Sequence, residues 1–163
     1  GALGFDGGLA IKDLIIEKIK MYGDKGHDLI FTKDTHTEAY LETEEGKNLP
    51  VNHCIKGTKG HEFPDEIIQL IDRYQPQVKV FEKPTFPSID LGNFLSEQDY
   101  QEVELCGLVS NICVLSNAVI AKGALPNAHI VVDAKATASF DEALHNQSLA
   151  IMKGLHIEVK NHV

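Results

Sequence analysis

Glu104-Leu105-Cys106-Gly107-Leu108-Val109-Ser110-Asn111-Ile112-Cys113-Val114 runs from an apolar strand into a helix, and this change of period decides the class of fold. Leu105 to Val109 reads as a buried strand, with Gly107 allowing close backbone approach. Ser110 and Asn111 are helix N-cap types, and Ile112, Leu115, Val119 and Ile120 continue at helical spacing. Cys113 therefore falls in the first helical turn, where unpaired backbone N–H groups and the helix dipole stabilise a thiolate and can hold a developing oxyanion. A cysteine standing alone is more often a small, inert hydrophobe, so its company matters.

Working outward, helix and strand alternate. Ala10 to Tyr22 reads as an amphipathic helix on Ile11, Leu14, Ile15 and Ile19, and Asp28 to Thr32 as a strand. Helices are expected over Phe63 to Tyr74, Ile89 to Leu95, Asn111 to Leu125 and Ser139 to Gly154. Strands are expected over Gln77 to Phe81, Glu102 to Val109, His129 to Asp133 and His156 to Lys160. Repeated αβ units with short apolar strands imply an α/β fold, a mostly parallel sheet covered on both faces, in a single domain over residues 1–163. Lys33 to Gly60 is a polar stretch without periodic apolar residues, and loops that long are usually functional. Gly1 to Gly8 reads as a glycine-rich loop with no strand before it and no initiator methionine.

Composition narrows the partners. The 15 basic and 24 acidic side chains give a formal net charge of -9, which disfavours nucleic acid and anionic membranes and favours a small molecule. No apolar run reaches membrane-spanning length, and no secretory signal opens the chain. Cys54, Cys106 and Cys113 make an odd set without metal or redox spacing, which fits a reducing, cytoplasmic setting.

In parallel α/β sheets, ligands bind beyond the carboxyl ends of the strands. Three such ends stand out. Asp34 and His36 flank one residue, so in extended chain their side chains share a face and can ligate one metal ion, with His53 on the long loop as a third ligand. One carboxylate and two imidazoles suit an open catalytic site for zinc, iron or manganese. Lys83 ends the run Val78-Val80-Phe81 just before Pro84, where it would favour a nearby thiolate. The third end is the Cys113 turn.

These pieces together resemble the isochorismatase-like cysteine hydrolases, and among them the nicotinamidases. The resemblance runs in order through Gly1-Ala2-Leu3, Asp34-Thr35-His36, Pro50 to Thr58, Glu82-Lys83-Pro84-Thr85-Phe86 and Gly107 to Val114. It implies a three-layer αβα fold with Cys113 as nucleophile and Lys83 as the triad lysine. It also implies a divalent metal, zinc foremost, on Asp34, His36 and His53, where it holds a pyridine nitrogen. A cis peptide at Leu108–Val109, an oxyanion hole from the amides of Val109 and Cys113, and Phe86 stacking beside the ring complete the implied site. The substrate would be a small amide and the assembly a homo-oligomer.

The sequence departs from the family pattern in three places. The family's first, central strand carries the aspartate that shuttles protons, and it would precede Gly1; Asp6 is a poor substitute because it follows the expected position. Ser110-Asn111 stands where many members have Thr-Asp. One extra residue separates Pro50 from His53. The resemblance thus implies a nicotinamidase, with a hydrolase of another small amide or ureido compound, or a non-catalytic binding module of the same fold, as alternatives.

Overall fold

The computed structural model describes residues 1–162. It is an α/β protein whose strand pairings are all parallel, as the sequence predicts. Its contacts divide it into two compact units, Gly1–Gly4 with Ile16–Thr85, and Phe5–Ile15 with Phe86–Val163.

In the first unit, β1 (Leu29–Asp34) pairs with β2 (Val78–Lys83) from Leu29↔Val78 to Asp34↔Lys83. Both strands run two residues beyond their predicted ends, because the ladder continues past the apolar residues into Lys33-Asp34 and Glu82-Lys83. Beyond that point β1 changes partner. Thr35 N–H donates to the Lys83 carbonyl at 2.9 Å, and His36 N–H donates to Cys54 at 3.0 Å. His36 then accepts from Lys56 at 2.9 Å, forming an isolated parallel bridge with Ile55. This handover draws the long polar segment back against the strand end.

Helix α2 (Lys12–Asp24) follows a short α1 (Asp6–Ala10), where the sequence predicts a glycine-rich loop and one helix from Ala10. Within the first unit, Gly23 lies under Tyr74, and a Cβ there would stand 2.7 Å from the ring. The Tyr74 hydroxyl donates to Asp24 at 2.7 Å. The polar segment carries a one-turn helix at Tyr40–Glu42 and α3 (Glu44–Asn48). Helix α4 (Asp65–Arg73) starts two residues later than predicted, after Pro64, and buries Ile67 and Leu70.

The second unit holds β3 (Glu102–Leu108), β4 (His129–Ala138) and β5 (Glu158–Lys160), in the order β3-β4-β5. The register runs from Glu102↔His129 to Leu105↔Val132 and resumes at Gly107↔Thr137, so β4 bulges between these pairs. The bulge, with the Asp133 carboxylate accepting from Lys135 N–H at 3.0 Å, lets β4 run five residues beyond its predicted end at Asp133. Helices α5 (Ile89–Ser96), α6 (Leu115–Ala124) and α7 (Glu142–Gly154) complete the unit. Ser88 and Asp141 cap α5 and α7 by accepting from Leu91 and Leu144 N–H. Leu95, Ala118, Ala121, Ile130, Val132, Leu149 and Met152 form its dry core. No helix among the described residues is long and apolar enough to cross a membrane.

Candidate functional site

In the first unit, the predicted metal ligands converge. One ligand atom from each of Asp34, His36 and His53 lies within 4.8 Å of the others. The bridge to Ile55 explains this: it places His53, two residues upstream, beside the end of β1. With the extra residue before it, His53 Nδ1–H donates to the Val51 carbonyl at 2.7 Å. A carbonyl only accepts, so in a neutral ring this bond puts the proton on Nδ1 and leaves Nε2 with its lone pair for a metal. His36 Nε2 is buried with no hydrogen-bond partner, and burial holds the imidazole below the ordinary histidine range, with Glu45 opposing. A neutral, orphaned nitrogen beside a carboxylate and a second oriented imidazole fits a divalent ion.

Glu45, which no sequence pattern singles out, joins them. Its Oε1 lies 3.5 Å from His36 Nε2 and 3.8 Å from His53 Nε2, and its Oε2 accepts from Thr85 at 2.8 Å. Local chemistry puts it there. Thr43 caps α3 by accepting from Gly46 N–H at 3.0 Å, and the buried Tyr40 ring lies 4.5 Å from His36 and 4.8 Å from His53. The capping signal Thr43-Glu44-Glu45-Gly46 was readable, but nothing local showed that Glu45 faces two histidines. Lys83 is buried and donates to the Asp34 carboxylate and to the Thr85 carbonyl. The predicted triad lysine therefore shares a carboxylate with the predicted metal ligands.

In the second unit, the Leu108–Val109 peptide is cis, as the resemblance implies. The sequence predicts an α-helical first turn capped by Ser110 or Asn111, and here the structure differs. Ser110–Val114 is a π turn whose cap, Val109, makes no side-chain hydrogen bond. The Val109 carbonyl accepts from Ile112 N–H at 3.0 Å and Val114 N–H at 3.1 Å. Ser110 does not cap because its hydroxyl faces His145 Nδ1 at 2.8 Å. Cys113, half-buried and outside any disulfide, sits within this turn; such turns are rare and often found at functional sites.

The Asn117 carboxamide ties this turn to the loop before α5. It donates to the Cys113 carbonyl at 2.8 Å and the Phe86 carbonyl at 3.0 Å, and accepts from Ser88 N–H at 2.9 Å. Phe86, predicted beside the substrate ring, is thereby held to the turn that carries Cys113. Asp6 is exposed at the start of α1. The structure thus brings Asp34, His36, His53 and Lys83 together in one unit, and Val109, Cys113 and Phe86 together in the other.

Comparison with known proteins follows the same lines. A family model described as "Isochorismatase domain" matches residues 9–161. An uncharacterized isochorismatase family protein, PncA of Bacillus subtilis (strain 168), is 30% identical over 148 residues, covering 88% of this chain and 79% of its own. The crystal structure of nicotinamidase PncA from Bacillus subtilis superposes with a TM-score of 0.80 at 28% identity, over 92% of this chain and 83% of that one. A pyrazinamidase/nicotinamidase from Streptococcus mutans UA159 gives 0.83 at 25% identity, over 94% and 87%.

Proposed function

Because the chain belongs to the isochorismatase family and is at that level an amidohydrolase, we propose that it is a nicotinamidase, converting nicotinamide to nicotinate and ammonia. The observation that carries the substrate is the convergence of Asp34, His36 and His53 with both imidazoles prepared as ligands. Members that act on isochorismate lack such a metal site. Bound there, a divalent ion, with zinc the best match to the donor set, supplies a Lewis-acidic anchor for the pyridine nitrogen.

In this reading the Cys113 thiolate attacks the carboxamide carbon. The backbone amides of Val109 and Cys113 stabilise the oxyanion that forms. The tetrahedral intermediate collapses to a thioester as the nitrogen is protonated and leaves as ammonia, and water then hydrolyses the thioester to release the acid and the thiol. By the family resemblance Lys83 is the triad lysine, whose charge would favour a thiolate. Proton transfer in both steps needs a carboxylate. Phe86 lies beside the ring.

The test is ammonia release from nicotinamide by zinc-loaded protein, with benzamide as the control lacking the ring nitrogen. Nicotinamide is expected to turn over and benzamide to be hydrolysed at least about a hundredfold more slowly, since one good metal–ligand contact exceeds about 2.7 kcal/mol. Cys113→Ala is expected to lose more than about a thousandfold. Equal hydrolysis of both amides removes the anchoring role of the metal. Absence of turnover with nicotinamide, alongside turnover of an N-carbamoyl compound, replaces the substrate.

A further inference from the structure

The His145–Ser110 bond has no part in the proposed reaction, and it lies at the start of the turn that carries Cys113. Ser110 is fully buried, so its hydroxyl carries a desolvation cost unless paired, and the partner within reach is His145 Nδ1 at 2.8 Å. His145 stands in the first turn of α7, where its N–H donates to the Asp141 carbonyl at 2.9 Å and its carbonyl accepts from the Ser148 hydroxyl at 2.7 Å. The imidazole is therefore presented from a fixed backbone.

The turn is pinned at both ends by side chains from helices. Asn117 on α6 holds the Cys113 carbonyl, and His145 on α7 holds Ser110. Between them the backbone follows the wide π pattern, with Leu115 N–H donating to the Ser110 carbonyl. A wide turn has poorer intrinsic stability than an α turn, so it persists where outside contacts hold it. Its geometry fixes where the Cys113 sulfur and the Val109 and Cys113 amides point.

Burial pushes the His145 imidazole below the ordinary histidine range, with His162 acting in the same direction and Glu142 opposing. The ring is thus neutral at pH 7 and contributes a hydrogen bond and no charge.

We infer that His145 is a positioning residue for the nucleophile: through Ser110 it holds the Cys113 turn in the form that aligns the sulfur with the oxyanion amides. The inference rests on Cys113 being the nucleophile of the proposed amidohydrolase. It concerns a residue that does not touch substrate, and it predicts a loss in reactivity at Cys113 that exceeds any loss in substrate binding.

The test measures alkylation of Cys113 by iodoacetamide, resolved from Cys54 and Cys106 by peptide mass spectrometry, in His145→Ala, His145→Asn and Ser110→Ala proteins. No substrate is needed, so the result stands apart from the nicotinamide assignment. Asparagine places an amide near the position of Nδ1, so it can remake the bond. His145→Ala is expected to slow Cys113 alkylation about tenfold, the equivalent of one hydrogen bond, with Cys106 unchanged. His145→Asn is expected to recover to within about threefold of the parent, and Ser110→Ala to match His145→Ala.

With a turned-over amide, kcat is expected to fall by the same about tenfold while KM stays within about twofold. Cys113 alkylation within about twofold of the parent in a folded His145→Ala protein overturns the inference, as does a His145→Asn protein no better than His145→Ala. If His145→Ala does not fold, Ser110→Ala decides, since it removes the same bond by deleting one oxygen. Slowed alkylation in a protein that leaves nicotinamide untouched keeps the inference and sinks only the substrate.

Discussion

At the residue scale, two polar side chains decide the character of the site. Glu45 closes the ring of donors around His36 and His53. Its replacement by glutamine keeps the shape and removes the charge, so Glu45→Gln is expected to weaken zinc binding tenfold to about a hundredfold by titration calorimetry, in line with losses of supporting carboxylates elsewhere. Unchanged affinity would show that Glu45 serves only the Thr85 hydroxyl, at 2.8 Å, and the Tyr40 hydroxyl, at 3.5 Å. Asn117, 4% exposed, satisfies three backbone groups. Asn117→Ala strands the Ser88 N–H and the Phe86 carbonyl and leaves the Cys113 carbonyl with the Ser116 hydroxyl at 3.2 Å, and is expected to cost about 2–4 kcal/mol in urea unfolding. A loss under about 0.5 kcal/mol would mean that water replaces it. Neither role was legible in the sequence. The candidacy of Asp34, His36 and His53 was, because two flank one residue in an extended segment and the third follows a proline-led segment; the places of Glu45 and Asn117 are identified only by packing.

At the element scale, α3 and the β3-β4-β5 sheet offer tests with clear signs. A Cβ on Gly46 would stand 2.0 Å from the Tyr40 carbonyl oxygen. Alanine normally gains about 1 kcal/mol over glycine inside a helix, but the clash is with backbone and cannot be relieved by a rotamer. Gly46→Ala is therefore expected to destabilise by about 2 kcal/mol or more and to weaken zinc binding with it, since α3 carries Glu45. A neutral or stabilising result would show that α3 shifts freely. On the sheet, His129 bridges both neighbouring strands, 3.1 Å from Glu102 and 2.7 Å from Glu158, and these bonds raise its pKa above the ordinary histidine value. The protonated ring binds more strongly in the folded state, so this contribution is whole below about pH 6.5 and is lost as pH rises through the raised folded value. Unfolding midpoints are expected to fall over that window, and His129→Gln to flatten the slope; an unchanged slope would assign it to other groups. The elements themselves were largely legible from apolar period. Their ends were not: β1, β2 and β4 ran on because hydrogen-bonding partners continued beyond the apolar residues.

At the scale of the whole molecule, metal and stability are linked. Asp34, His36 and His53 come from segments that only the folded chain brings together, so an ion that binds them favours the folded state. Zinc at a hundred times its Kd is expected to add about 2.7 kcal/mol and to raise Tm by about 5–10 °C. Chelation is expected to reverse the shift and Asp34→Ala to abolish it. A Tm indifferent to zinc would argue against a folded-state metal site. The sequence by itself determined the parallel α/β class, the order of the strands and of the longer helices, the cysteine at a strand-to-helix junction and the three candidate ligands, because each of these rests on period, spacing or local backbone preference. Only the tertiary structure decided that Cys113 sits in a π turn, that Ser110 answers to His145 instead of capping a helix, that Asn117 ties Phe86 to that turn, and that Glu45 joins the histidines. Those choices depend on which buried polar group meets which partner across tens of residues, and that pairing is set by packing.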